Sequence, residues 1–327
     1  MKARSLTLIS ALALAAALVL SSCAVPTPTR TPSGSASPSP SVSATPVSSE
    51  HDLLSPGLAQ QVVAQLVEAT NGKPVVRVVI ARTQVRLTYI DDGDRPRSMV
   101  WLGGVITPSD DGTDLVAATS FDPNSFNLSD VAQLFATAAQ ISGSHDKQEL
   151  QINEYDHKRI LMTVTTSPES STIFFDRDGA LVPRLNLSLE NDLAAGLNDV
   201  YDTRLFVVEV GVTVDSTDPM TSANQAWADV VTTPGVIERR IRTATVPMFA
   251  TQRRETPSTQ QFDRTAINPE VISQLIRTAP LQLEQPDATV ISVTVSQPLG
   301  ADQPRITIEA AGSRLVTDLA GTKIDNP

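Results

Sequence analysis

Phe121-Asp122-Pro123-Asn124-Ser125-Phe126-Asn127 and Phe262-Asp263-Arg264-Thr265-Ala266-Ile267-Asn268 stand 141 residues apart and can be laid on each other. A helical apolar stripe follows each copy: Val131, Leu134, Phe135, Ala138 and Ile141 in the first, Val271, Ile272, Leu275 and Ile276 in the second. Three strand-like runs come next in both, at 149–154, 160–166 and 172–176, then at 288–296, 305–310 and 314–318. Asp176-Arg177-Asp178-Gly179 closes the earlier set and Asp318-Leu319-Ala320-Gly321 the later one, at a spacing of 142. Two landmarks more than fifty residues apart that agree within one residue describe an internal repeat.

The stretches before each landmark extend the pattern. Residues 58–70, LAQQVVAQLVEAT, place Leu58, Val62, Val63, Leu66 and Val67 on one helical face, and Asn71-Gly72 ends it. Strands are expected at 75–80, 84–90 and 98–106, with a turn at 91–94. Asn127 or Ser129 offers a cap for the next helix. A third helix is expected at 189–200 and its first strand at 204–214, after which 216–261 reads as an irregular insertion. The fold class is therefore α+β: two homologous halves, 51–186 and 187–327, each of two αβββ units with antiparallel sheets covered by helices. The αβββ order closed by Asp-x-x-Gly resembles, in topology only, the PepSY-type modules of bacterial envelope proteins, and no site is carried over from them.

The amino-terminal segment reads differently. Met1-Lys2-Ala3-Arg4 is cationic, residues 6–20 are apolar but short for a membrane span, and Leu20-Ser21-Ser22-Cys23 follows. These last four residues resemble the lipobox of bacterial lipoproteins. The resemblance implies a signal peptide at 1–22, cleavage before Cys23 and a diacylglyceryl group on its thiol, which places the mature chain on the extracytoplasmic face of the cell membrane. Residues 24–50 hold Pro26, Pro28, Pro32, Pro38, Pro40 and Pro46 among Ser and Thr, a composition too polar to offset the entropy of ordering. Segment 23–50 is thus a lipidated start and a semi-extended tether, at most about 80 Å long in polyproline II form.

Composition narrows the function classes. The chain has 327 residues, 25 basic against 36 acidic, a formal net charge of −11 and one cysteine. That balance argues against nucleic acid as a partner, and one cysteine leaves no intrachain disulfide or cysteine-rich metal site. His51, His145 and His157 are the three histidines. His145-Asp146 and Asp156-His157 fall in neighbouring turns with Ser144 nearby, yet no Gly-x-Ser-x-Gly elbow or other nucleophile motif accompanies them. Asp176-Arg177-Asp178-Gly179 begins like a calcium loop, but Leu181 and Pro183 stand where further oxygen ligands are needed, so a glycine turn is expected. No metal and no cofactor is expected. Two Trp and three Tyr are few for a sugar-stacking surface, and Trp101 lies in an apolar run.

One segment opposes the overall charge. Arg239, Arg240, Arg242, Arg253, Arg254 and Arg264 crowd 238–264. The planar guanidinium suits carboxylate and phosphate, so Arg239, Arg240, Arg242, Arg253 and Arg254 are candidate contacts for an anionic envelope polymer or headgroup. Against this stands a plainer reading, in which Ile237 and Ile241 point inward and the arginines pair with the chain's own acid. The expected function is a non-enzymatic, membrane-anchored binding module for a protein or envelope component, using sheet edges and the groove between halves. A lipid carrier, resembling mycobacterial lipoproteins that hold acyl chains between sheet and helices, is the alternative; a hydrolase using His145 or His157 is the third.

Overall fold

A computed structural model describes residues 49–109, 118–156, 158–167 and 171–324. Cys23, the signal segment, nearly all of the tether, and His157 lie outside the described residues. From Val47 onward the chain forms one compact unit, so both halves belong to a single body.

In the first half α1 (Leu58–Ala69) precedes β1 (Val75–Ala81), β2 (Gln84–Ile90), β3 (Pro96–Leu102) and β4 (Val105–Ser109). Then α2 (Val131–Ser142) precedes β5 (Glu149–Asp156), β6 (Arg159–Thr165) and β7 (Ile173–Phe175). The second half opens with α3 (Glu190–Tyr201), the short β8 (Phe206–Val207), β9 (Glu209–Asp215), β10 (Gln225–Thr233), β11 (Val236–Thr243) and β12 (Phe249–Arg254). Two short strands, β13 (Thr259–Gln260) and β14 (Phe262–Asp263), lead into α4 (Pro269–Gln282), β15 (Val290–Pro298), β16 (Arg305–Ala310) and β17 (Ser313–Thr317). The sheets run β4-β3-β2-β1-β5-β6-β7 and β12-β11-β10-β9-β15-β16-β17, so the two halves have the same strand order. All pairs within them are antiparallel.

The equivalence extends to side chains. Ala59, Val62, Val63 and Leu66 of α1 are buried, and Leu193, Gly196, Leu197 and Val200 of α3 repeat their spacing. Val131, Leu134, Phe135 and Ala138 of α2 match Ile272, Leu275, Ile276 and Ala279 of α4. Each stripe closes over its own sheet, whose inward residues (Val78, Ile80, Leu87, Leu150 and Ile152; Val210, Val212, Val293, Ile306 and Ile308) are at most 2% exposed. Two separate cores result. These apolar side chains fill the space between sheet and helices where an acyl carrier would need a cavity.

The landmark segments serve the same job twice. Asp122 accepts from the Asn124 N–H and Asp263 from the Thr265 N–H, each capping a turn of 3-10 helix. Asp176 Oδ1 accepts from the N–H groups of Asp178 and Ala180; Asp318 Oδ1 accepts from those of Ala320 and Thr322. Gly179 and Gly321 follow at φ of 85° and 83°, and a Cβ on Gly321 would lie 3.3 Å from Val271. The motif is therefore a self-satisfied turn docked under its helix. The cap of α2 is Asp130, which accepts from Gln133 N–H, rather than Asn127 or Ser129.

Two stretches differ from expectation. The strand expected at 98–106 is a hairpin, β3 and β4, because Gly103 and Gly104 both take positive φ (56° and 87°) and turn the chain between them. The first unit of each half is accordingly αββββ. Residues 216–261, expected to be irregular, contain β10, β11 and β12. Their alternation was obscured in β11, where Glu238, Arg240 and Arg242 share the helix-facing side with Ala226, Ala228 and Val230 of β10, whereas Ile237, Arg239 and Ile241 lie on the opposite face. The phase is the reverse of the one expected. Leu185 already belongs to the second core, just ahead of the expected boundary between 186 and 187.

Candidate functional site

The two halves meet along a groove of about 400 Å³. One wall is the edge strand β7 and the segment after it, with Phe174, Leu181 and Val182; the other carries Met220 and Val246. Val182 N–H donates to Phe174 O, so the returning chain covers part of the β7 edge. Arg184 donates to Met220 O across the gap at 3.4 Å. The remaining lining includes the hydroxyl-bearing Thr172, Ser222 and Thr245. The arrangement suits an extended, mostly apolar segment with an acidic group near Arg184.

Polar contacts fix the walls. Tyr155 Oη donates to Pro247 O at 2.8 Å, and Ala250 N–H donates to the Asp156 carboxylate at 3.0 Å. The Tyr155 ring packs edge-on against Phe174, and burial, with Asp156 beside it, pushes the phenol pKa up to about 12. Leu185 N–H donates to Ala244 O. Arg242, 1% exposed, joins both halves: Nε pairs with Asp199 at 2.9 Å, Nη1 donates to Thr243 O and Val246 O, and Nη2 donates to Pro183 O. Burial pushes its pKa down, and Asp199 opposes this.

Three of the other four candidate arginines are also engaged by the fold. Arg240 donates to Val200 O and Tyr201 O, the last carbonyls of α3, and pairs with Asp202 at 3.3 Å, a cation placed where the helix dipole favours it. Arg239 makes two 2.8 Å bonds to Asp229, and Arg253 makes two more at 3.2 and 2.8 Å. The Arg239 guanidinium also lies 3.9 Å from the centroid of Trp227, whose ring is flat against Gly211; a Cβ there would sit 2.2 Å from it. Arg253 pairs with Glu255 as well. Arg254 alone of the five is exposed with no side-chain hydrogen bond or ion pair among the described residues. Arg239, Arg240, Arg242 and Arg253 are thus each paired with a carboxylate of the chain itself.

Elsewhere His145 is exposed, and the Ser144 hydroxyl donates to Ser167 O. His51 packs its ring edge-on against Trp101. No group of three His, Cys, Asp or Glu able to hold a metal occurs among the described residues. Tyr201 is 5% exposed, and its hydroxyl is buried without a hydrogen-bond partner among the described residues. Replacing it with phenylalanine removes an unsatisfied polar atom while keeping the ring. Tyr201→Phe is expected to raise unfolding free energy by about 1 kcal/mol in urea titration, and a loss of that size would reveal a partner for the hydroxyl.

The groove residues Phe174, Arg184, Met220 and Val246 were not singled out in the sequence, and Asp156, which helps fix a wall, was noted only for its turn beside His157. They come from separate segments with no motif spacing, and only the repeat itself pointed to a junction. No protein-family model and no curated protein matches the chain. Among solved structures it shows a weak likeness to the DNA polymerase sliding clamp from Pseudomonas aeruginosa (14% identity, 83% of this chain, 62% of that chain, TM-score 0.13). It shows another to the DNA polymerase III subunit beta from Pseudomonas aeruginosa (15% identity, 83% and 63%, TM-score 0.13). A third is the Helicobacter pylori beta clamp bound to DNA ligase peptide (10% identity, 84% and 66%, TM-score 0.15). The chain spans about 62% of the length of the first of these, and at such TM-scores the likeness carries no argument about function.

Proposed function

We propose that this chain is a lipid-anchored, extracytoplasmic binding module without catalytic activity, and that the groove between its halves is the contact surface for an envelope protein. The groove carries this reading: apolar walls from both halves, pinned by Tyr155, Asp156 and Arg242, present a preformed cleft beside a partly covered strand edge. Support for the anchor comes from the Leu20-Ser21-Ser22-Cys23 motif and the proline-rich tether after it.

Both parts can be tested in the producing cell. A palmitate analogue is expected to label the wild-type chain, with labelling lost in Cys23→Ser and under globomycin; labelling that persists in Cys23→Ser defeats the anchor. A photo-crosslinking residue at Met220 is expected to give a discrete protein adduct in the intact envelope, while the same group at Glu309, on an exposed part of β16, gives none. Equal adducts at both positions, or none at either, defeat the groove.

A further inference from the structure

A second depression, about 250 Å³, lies where the end of α3 meets the start of α4. Its walls include Leu197, Asn198 and Tyr201 from α3, and Arg264, Ile267 and Pro269 from the approach to α4. The Arg264 guanidinium sits 5.0 Å from the centroid of the Tyr201 ring. It is half-buried and forms no hydrogen bond or ion pair among the described residues. The neighbouring carboxylates are otherwise held: Asp263 accepts from the N–H and hydroxyl of Thr265, and Asp202 pairs with Arg240. Arg239 and Arg264 are the two arginines of this half that lie over an aromatic ring among the described residues; Arg239 is claimed by Asp229, whereas Arg264 has no carboxylate partner there.

The repeat sharpens the point. The buried spacing that matches Leu66 with Val200 puts Val67 opposite Tyr201, and the landmark that matches Phe121 with Phe262 puts Pro123 opposite Arg264. The first half therefore has neither the phenol nor the cation. At these matched positions both residues occur in one half only, where the Tyr201 ring is also part of the second core. Beside the depression the Arg264 N–H donates to Leu205 O, and Leu205 and Phe206 are 48% and 54% exposed, a large apolar pair at the rim of an acidic body.

We propose that this depression binds the anionic end of a small amphipathic molecule. Arg264 takes a carboxylate or phosphate through its planar fork, and the apolar body lies against Leu197, Ile267 and the rim of Leu205 and Phe206. The Tyr201 ring beside the guanidinium limits its motion, so less freedom is lost on binding. The site is separate from the groove between the halves, and its binding does not depend on the groove being occupied.

Isothermal titration calorimetry of the full chain tests it with octanoate as the probe. Saturable 1:1 binding is expected, with acetate, which lacks the body, and octanol, which lacks the charge, each at least tenfold weaker. Arg264→Gln, which keeps length and some stacking, is expected to weaken octanoate at least tenfold with an unchanged melting temperature; Arg264→Lys falls between. Octyl phosphate and vesicles of phosphatidylglycerol, set against phosphatidylcholine, separate a free anion from a lipid headgroup, and either is expected to show the same dependence on Arg264. No saturable octanoate binding, or binding that Arg264→Gln leaves intact, overturns the proposal.

Discussion

Arg242→Met is expected to lower the unfolding free energy by about 3 kcal/mol, through the loss of a buried cation's hydrogen bonds, while the half-exposed Asp199 is rehydrated. Methionine fills much of the same space but donates nothing. Thr243 O, Val246 O and Pro183 O lose their shared donor, and Asp199 loses its cation. A stranded buried acceptor costs about 1–3 kcal/mol; Thr243 is buried, whereas Val246 O keeps the Thr243 N–H and Pro183 lies at the surface. Because Pro183 belongs to the segment joining the halves while Asp199 lies on α3, the damage reaches both the junction and the second core. Urea unfolding followed by tryptophan fluorescence and by circular dichroism gives the size of the loss. A change below about 1 kcal/mol would mean that the carbonyls find water when the guanidinium is gone.

Asp229→Asn is expected to cost about 2–3 kcal/mol at neutral pH. The Asp229 side chain is 1% exposed and receives both guanidinium forks, so an amide there turns two N–H donors toward others. Arg239 and Arg253 are themselves about a third exposed, so water recovers part of what breaking a fully buried pair would cost. Burial by itself would raise the Asp229 pKa, but the bonds and charges of Arg239 and Arg253 outweigh it and hold the carboxyl below the usual carboxylate range. A lowered folded-state pKa contributes stability that is present above the unfolded value of about 3.9 and lost as pH falls through the folded value. The gap between wild type and Asp229→Asn is therefore expected to narrow from pH 5 toward pH 2 in urea titrations. A gap that stays constant over that range would show that the charge of Asp229 is not what the site uses.

The same region shows why the strands at 225–254 were harder to read than those at 149–175. In β5, Leu150 and Ile152 alternate with polar residues, and in β6 Met162 and Val164 flank Thr163, so period-two patterning reports the buried face. In β11 the helix-facing side carries Glu238, Arg240 and Arg242, since this strand lies toward the rim of its sheet and long side chains reach past it to the end of α3. Snorkelling of this kind defeats an apolar-in, polar-out rule. The arginine cluster was visible as composition, but its use was not: whether a guanidinium meets a ligand or Asp199, Asp202 and Asp229 depends on residues 10 to 43 positions away.

Sequence alone determined the repeat, the four helices and the closing turns, because each is set by spacing within a few residues and by side chains that satisfy their own backbone. Asp176 and Asp318 each satisfy the N–H groups of their own turns. Tertiary structure decided the rest: the inverted phase of β11, the engagement of the arginines, and the joining of Tyr155, Phe174, Arg184 and Met220 around one groove. Those outcomes depend on which distant atoms lie within about 3 Å of one another, and a linear pattern holds no distance between segments that only packing brings together.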